Sequence, residues 1–149
     1  MEYIKCYCDA SFDPASHMAV VGYRFENSPI CYKIIENTKN IRAEMICLLD
    51  LVDELDADKN YIIYTDCLNI IHILESRDKL IQKNFNNKKG IELENSDLYK
   101  RLLEINLEHI EIKHIEGHIA KRLMNDDNKQ FSVLDKFLRR ELRSIVCPK

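Results

Sequence analysis

Three segments of alternating apolar and polar residues crowd the start of the chain: 3–12 (YIKCYCDASF), 18–25 (MAVVGYRF) and 30–35 (ICYKII). Successive side chains of a strand point to opposite faces, so this period of two predicts half-buried strands. Asp13-Pro14 and the stretch from Glu26 to Pro29 carry turn chemistry between them. The three read as an antiparallel meander.

The period then changes. Residues 42–55 follow a Thr38-Lys39-Asn40 segment able to cap a helix, and Glu44, Leu48, Leu51 and Leu55 fall on one helical stripe. Glu44 therefore belongs to the inward face. A strand over 61–65 ends at Asp66 and leads into a helical stretch over 68–76. The polar, Asn/Lys-rich residues 78–95 read as a loop, with room for a short helix before it. A helix over 96–106, a strand over 109–115 and an amphipathic helix over 131–145 complete the chain. The order βββαβααβα, without repeat or linker, predicts one α/β domain over residues 1–149.

Four carboxylates sit in otherwise apolar surroundings: Asp9, Glu44, Asp66 and Asp135. Burying an isolated charge costs several kcal/mol, about enough to unfold a marginal domain, unless something compensates it. Each has an ordinary alternative when taken singly. Asp9 can form a turn, Glu44 can favour the helix dipole, Asp66 can cap the next helix, and Asp135 can pair with Arg139 at i,i+4. Together they point to bound divalent cations. Phosphodiester hydrolysis needs charge neutralised on attacking and leaving oxygens, which two cations about 4 Å apart supply. Hard Mg²⁺ takes oxygen ligands and keeps waters, so a few carboxylates suffice.

Composition narrows the class. At 46% hydrophobic residues the 149-residue chain has enough apolar content for a core, and its net charge of −3 argues against coating nucleic acid by bulk electrostatics. Local clusters differ from that average. Between Lys79 and Gly90 the bases Lys79, Lys83, Lys88 and Lys89 stand in a stretch without acidic residues, and Lys136, Arg139, Arg140 and Arg143 mark the last helix against Glu141. No membrane-spanning stretch or signal peptide is expected, and six cysteines without paired CxxC motifs fit reduced thiols in an intracellular protein, cytoplasmic or nuclear.

Five local patterns, in order, resemble the type 1 ribonucleases H of the ribonuclease H-like nuclease superfamily. They are Cys8-Asp9-Ala10-Ser11 closing the first strand, Asn40-Ile41-Arg42-Ala43-Glu44 at a helix start, and Tyr64-Thr65-Asp66-Cys67 at a strand end. The others are Asn95 to Leu102 on a helix and Glu116-Gly117-His118 after the last strand. The resemblance runs from about Tyr3 to Arg143. It implies a five-stranded mixed sheet flanked by helices and an endonuclease that cuts the RNA strand of RNA/DNA hybrids with two Mg²⁺ or Mn²⁺ ions. Asp9, Glu44, Asp66 and Asp135 would hold the ions, with Asp9 bridging both, and His118 would assist proton transfer or product release. Ser11, Phe12 and Asp13, with Asn40, would contact the RNA strand, and Thr38, Lys39 or Asn40 a DNA phosphate. Lys83, Lys88 and Lys89 would position the hybrid, without organic cofactor and as a monomer.

Three departures leave alternatives open. The stretch between His118 and Asp135 is long and holds Asp126-Asp127-Asn128, so Asp127 rivals Asp135 as fourth ligand. Leu68 stands where many members have a Gln, and the 79–90 segment lacks the family's aromatic residues. A nuclease for another structure, double-stranded RNA or branched DNA, and a catalytically silent binding module are the alternative functions.

Overall fold

The computed structural model describes residues 2–147. Strands β1 (Ile4–Asp13), β2 (Met18–Phe25) and β3 (Cys31–Ile35) pair antiparallel as a meander. Helix α1 (Asn40–Asp53) then crosses to β4 (Tyr61–Thr65), which pairs parallel to β1. Helices α2 (Leu68–Glu75), α3 (Arg77–Gln82) and α4 (Ser96–Leu103) precede β5 (Ile110–His114), parallel to β4, and α5 (Asp126–Val146) closes the chain. The sheet is five-stranded and mixed, in the order β3-β2-β1-β4-β5. Among the described residues no helix is long and apolar enough to cross a membrane, and all six cysteines are free thiols.

Strand alternation sorts the core into two. Cys6 and Cys8 of β1, with Ala19 and Val21 of β2, face α1, α2 and α4. Tyr7 and Val20 face the opposite way, against Phe131, Leu134 and Leu138 of α5. The odd positions of β1 thus look toward α5, and Asp9 is one of them.

Two elements depart from expectation. A third helix, α3, lies where residues 78–95 read as loop, and the rest of that segment is held by turns and an isolated Asn86–Glu92 bridge. The segment does hold one aromatic residue, Phe85, but it turns inward, 8% exposed, with Lys100 over the ring at 5.5 Å. The segment therefore presents its lysines without that ring.

The second departure is α5, which starts five residues before the expected Phe131. Asn125 caps it, accepting from the Asn128 amide at 2.8 Å while the Asn128 side chain accepts from the Asn125 amide at 3.0 Å. Asp126 and Asp127 fill the first turn, where carboxylates suit the positive helix end. The long loop after His118 is correspondingly shorter, and a 3-10 turn at Lys121–Leu123 occupies part of it.

Candidate metal centre

The pairing of β1 with β4 ends at Tyr7–Tyr64, while β1 continues alongside β2 to Asp13. Past that last pair the two parallel strands separate, and the notch between them receives carboxylates from three elements. Asp9 comes from β1, Asp66 follows the end of β4, and Glu44 comes from the buried stripe of α1. One ligand oxygen of each lies within 4.8 Å of the others. The carboxyl end of parallel strands beside a change in connection direction is where open α/β sheets form their sites.

The structure removes three of the ordinary alternatives. Asp9 sits within a strand opposite Gly22, and the turn former is Asp13, whose carboxylate accepts from the Ser16 amide at 3.0 Å and hydroxyl at 2.6 Å. Glu44 is the fifth residue of α1, beyond the first turn. Cys67, not Asp66, is the N-cap of α2.

Burial makes this cluster costly on its own. Asp9 is 2% exposed and Glu44 5%, and Asp9 Oδ2 and Glu44 Oε2 have no hydrogen-bond partner. Desolvation first, then the facing Glu44 and Asp66 carboxylates, push the Asp9 carboxyl well above its ordinary range. Desolvation and then Asp66 do the same to Glu44. Asp66 is raised by desolvation and by Asp135, with His118 and His114 opposing. Three convergent carboxylates, two of them with buried unpartnered oxygens, fit a hard divalent cation, which supplies the missing charge.

Asp135 adjoins this group from α5, close enough to raise both Asp9 and Asp66. Its carboxylate also meets Arg139 Nε at 3.2 Å, the i,i+4 pair anticipated as an alternative to metal binding. Both relationships hold in one geometry. Arg139 Nη2 in turn lies 2.7 Å from His118 Nε2, so one guanidinium links the fourth acid to the exposed His118 loop. The backbone at His118 is left-handed, φ 58°, a conformation uncommon outside glycine.

Asp127 points elsewhere. It accepts from Tyr7 Oη at 2.7 Å and Lys5 Nζ at 3.1 Å, on the sheet below the notch. Burial raises its carboxyl, but the bonds from Tyr7 and Lys5 outweigh that and hold it below the usual range. Asp135 thus adjoins the three carboxylates, whereas Asp127 ties the start of α5 to β1.

The expected substrate contacts separate into regions. Ser11, Phe12 and Asp13 run from the site to the β1–β2 turn, where the Phe12 and His17 rings are 6.4 Å apart. Thr38 is 4% exposed and lines a cavity of about 290 Å³ with Lys39 and His17. Asn40, the first residue of α1, is not among its walls. Lys39 meets Glu94 at 2.8 Å. Lys83 and Lys88 share a groove with Lys79 and His72, and Lys89 lies in the adjoining turn.

Four contributors escaped sequence reading. Arg42 lines the Thr38 cavity and donates twice to Asp97, at 3.1 and 2.9 Å, and Asn95 accepts from it at 3.2 Å. Arg42 and Asn95, which both line the cavity, stand inside recognisable motifs, but nothing local joins the two helices. Gly117 is the third: a Cβ there would stand 2.9 Å from Asp66 Oδ2. The fourth is Gly22, opposite Asp9, where a Cβ would stand 2.8 Å from Leu138 Cδ2. It admits α5 close enough to deliver Asp135.

The family model described as RNase H matches residues 1–136. No curated protein matches the chain.

Proposed function

This chain belongs to the RNase H family, and on that premise we propose that it is an endonuclease hydrolysing the RNA strand of RNA/DNA hybrids with two Mg²⁺ or Mn²⁺ ions. The observation carrying the reading is the convergence of Asp9, Glu44 and Asp66 oxygens within 4.8 Å, two of the acids having buried unpartnered oxygens. Asp9, Glu44 and Asp66 hold the ions, with Asp135 completing the set from α5. Bound there, the cations neutralise charge on the attacking and leaving oxygens of the phosphodiester.

The protein's own groups orient and discriminate. Asp9 is held by the sheet, Glu44 by the packed face of α1 and Asp135 by α5, so the ligands are fixed before substrate arrives and little ordering remains to be done. In this reading His118, on an exposed loop beside Arg139, carries a proton or escorts the product out. Ser11, Phe12, Asp13 and Asn40 contact the RNA strand, where the ribose 2′-OH separates RNA from DNA. Thr38 and Lys39 take a DNA phosphate in their cavity, and Lys83, Lys88 and Lys89 position the duplex through its backbone without reading sequence.

The test compares one RNA/DNA hybrid, one double-stranded RNA and one four-way DNA junction of matched length, with Mg²⁺ and with EDTA. The expected result is Mg²⁺-dependent cutting of the RNA strand of the hybrid, at least tenfold faster than either other substrate. Preferential cutting of the RNA duplex or the junction would replace the substrate assignment, and no cutting of any would remove the enzymatic one.

A further inference from the structure

A cleft of about 460 Å³ opens beside Asp66 and Asp135, between the 116–124 loop and the outer face of α5. Its walls have two characters. Met124 and Val133 give it apolar surface, Val133 being 52% exposed with no core to pack into. Lys121 and Lys129 supply positive charge, Lys129 standing six residues before Asp135 on α5. From Asp135 back to Lys129 is six helical residues, about 9 Å along the axis, roughly the reach of one nucleotide.

A sugar–phosphate backbone alone has no use for an apolar wall, whereas a nucleobase presents an apolar face and a phosphate matches lysines. Concave, mostly apolar sites with a few convergent polar groups are where small ligands bind. A paired base cannot enter without leaving its stack, at a cost of a few kcal/mol, roughly the unstacking penalty of base flipping. An unpaired one at a frayed end, gap or flap has already left it.

We propose that this cleft binds one unpaired nucleotide adjoining the scissile phosphate, its base against Met124 and Val133 and its outer phosphate on Lys121 and Lys129. The neighbouring scissile phosphate, and with it a preference for cutting RNA next to an unpaired position, rests on the nuclease reading. The binding itself does not.

The experiment titrates AMP into the full chain without divalent metal, following backbone amides by NMR, with adenosine and inorganic phosphate as parallel titrants. Expected are shifts confined to residues lining the cleft, and AMP affinity at least tenfold above that of either fragment. Val133→Asp and Lys129→Glu should each weaken AMP by tenfold or more. Both positions are exposed, and an unchanged melting temperature confirms that the variants fold. Shifts centred on the Lys79–Lys88 groove, AMP no tighter than phosphate, or affinity unaltered in Val133→Asp would overturn the proposal. If AMP binds in the cleft while no hybrid is cut, the nuclease reading falls and the cleft stands. If hybrid is cut and AMP does not bind there, the cleft alone falls.

Discussion

The Tyr7 hydroxyl donates to the Asp127 carboxylate at 2.7 Å, and this bond sets the register on which the fourth acid depends. Tyr7 stands two residues before Asp9 on the same face of β1, and Asp127 stands eight before Asp135 on α5. Lys5 adds a second bond at 3.1 Å, and Tyr7 stacks on Tyr64 at 5.4 Å. Asp127→Ala would leave the buried Tyr7 hydroxyl unpartnered, at about 1–3 kcal/mol. The melting temperature should drop by roughly 3–10 °C, whereas Asp135→Asn, which relieves like-charge crowding, should not lower it. Thermal denaturation of the two variants without metal checks this contrast.

The pH dependence of the metal-free protein follows from the raised carboxyls. Asp9 and Glu44 start from ordinary values of 3.8 and 4.5 and are raised on folding, chiefly by desolvation. The folded state therefore binds more protons than the unfolded one, and stability falls as pH rises. Their contribution is complete below about pH 4 and lost as pH climbs through the raised folded values. Asp127 acts in the opposite sense, its lowered carboxyl losing its contribution on acidification. Melting curves between pH 5 and 8 should thus fall without metal and flatten with Mg²⁺, which favours the ionised carboxylates. A metal-free melting temperature that rises across this range would contradict the carboxylate burial.

Gly117→Ala tests the closest approach in the site. The added Cβ would meet Asp66 Oδ2 at 2.9 Å, so either the carboxylate or the loop must shift. Misplacement of a ligand by about 1 Å can cost a hundredfold in rate. Metal-dependent cleavage should drop at least tenfold, with a melting temperature within a few degrees of wild type, since the loop lies at the surface.

Gly22→Ala should act through packing instead. Its Cβ would meet Leu138 Cδ2 at 2.8 Å and the Cys31 carbonyl at 3.1 Å, and overpacking of this kind costs about 1–3 kcal/mol. Denaturant unfolding should show the loss, and cleavage should fall with it because α5 carries Asp135.

Much of this arrangement was legible in the residues. The meander, α1, β4 and β5 announce themselves by period, and Asp9, Glu44 and Asp66 stand out because a carboxylate in an apolar setting needs a reason. The start of α5 was harder. Its apolar stripe begins at Phe131, while its first turn is polar and held by Asn125, Asn128 and the Asp127 bonds to Tyr7 and Lys5. Asn125 followed by two acids is a helix-start signal, but the partners of Asp127 lie 120 and 122 residues away. The apolar pattern of Leu134, Phe137 and Leu138 around Asp135 favours it over Asp127, but no local pattern shows what holds Asp127. The roles of Gly22, Gly117 and Arg42 depend likewise on contacts between distant elements.

The most direct measurement is the single-turnover rate of RNA-strand cleavage in one labelled hybrid, for wild type and Asp9→Asn across a range of Mg²⁺ concentrations. Loss of a metal ligand removes transition-state charge stabilisation of several kcal/mol, so the variant should be at least roughly a hundredfold slower at every Mg²⁺ concentration. Wild-type cleavage should vanish in EDTA. An Asp9→Asn rate equal to wild type, or cleavage undiminished in EDTA, would contradict the metal centre.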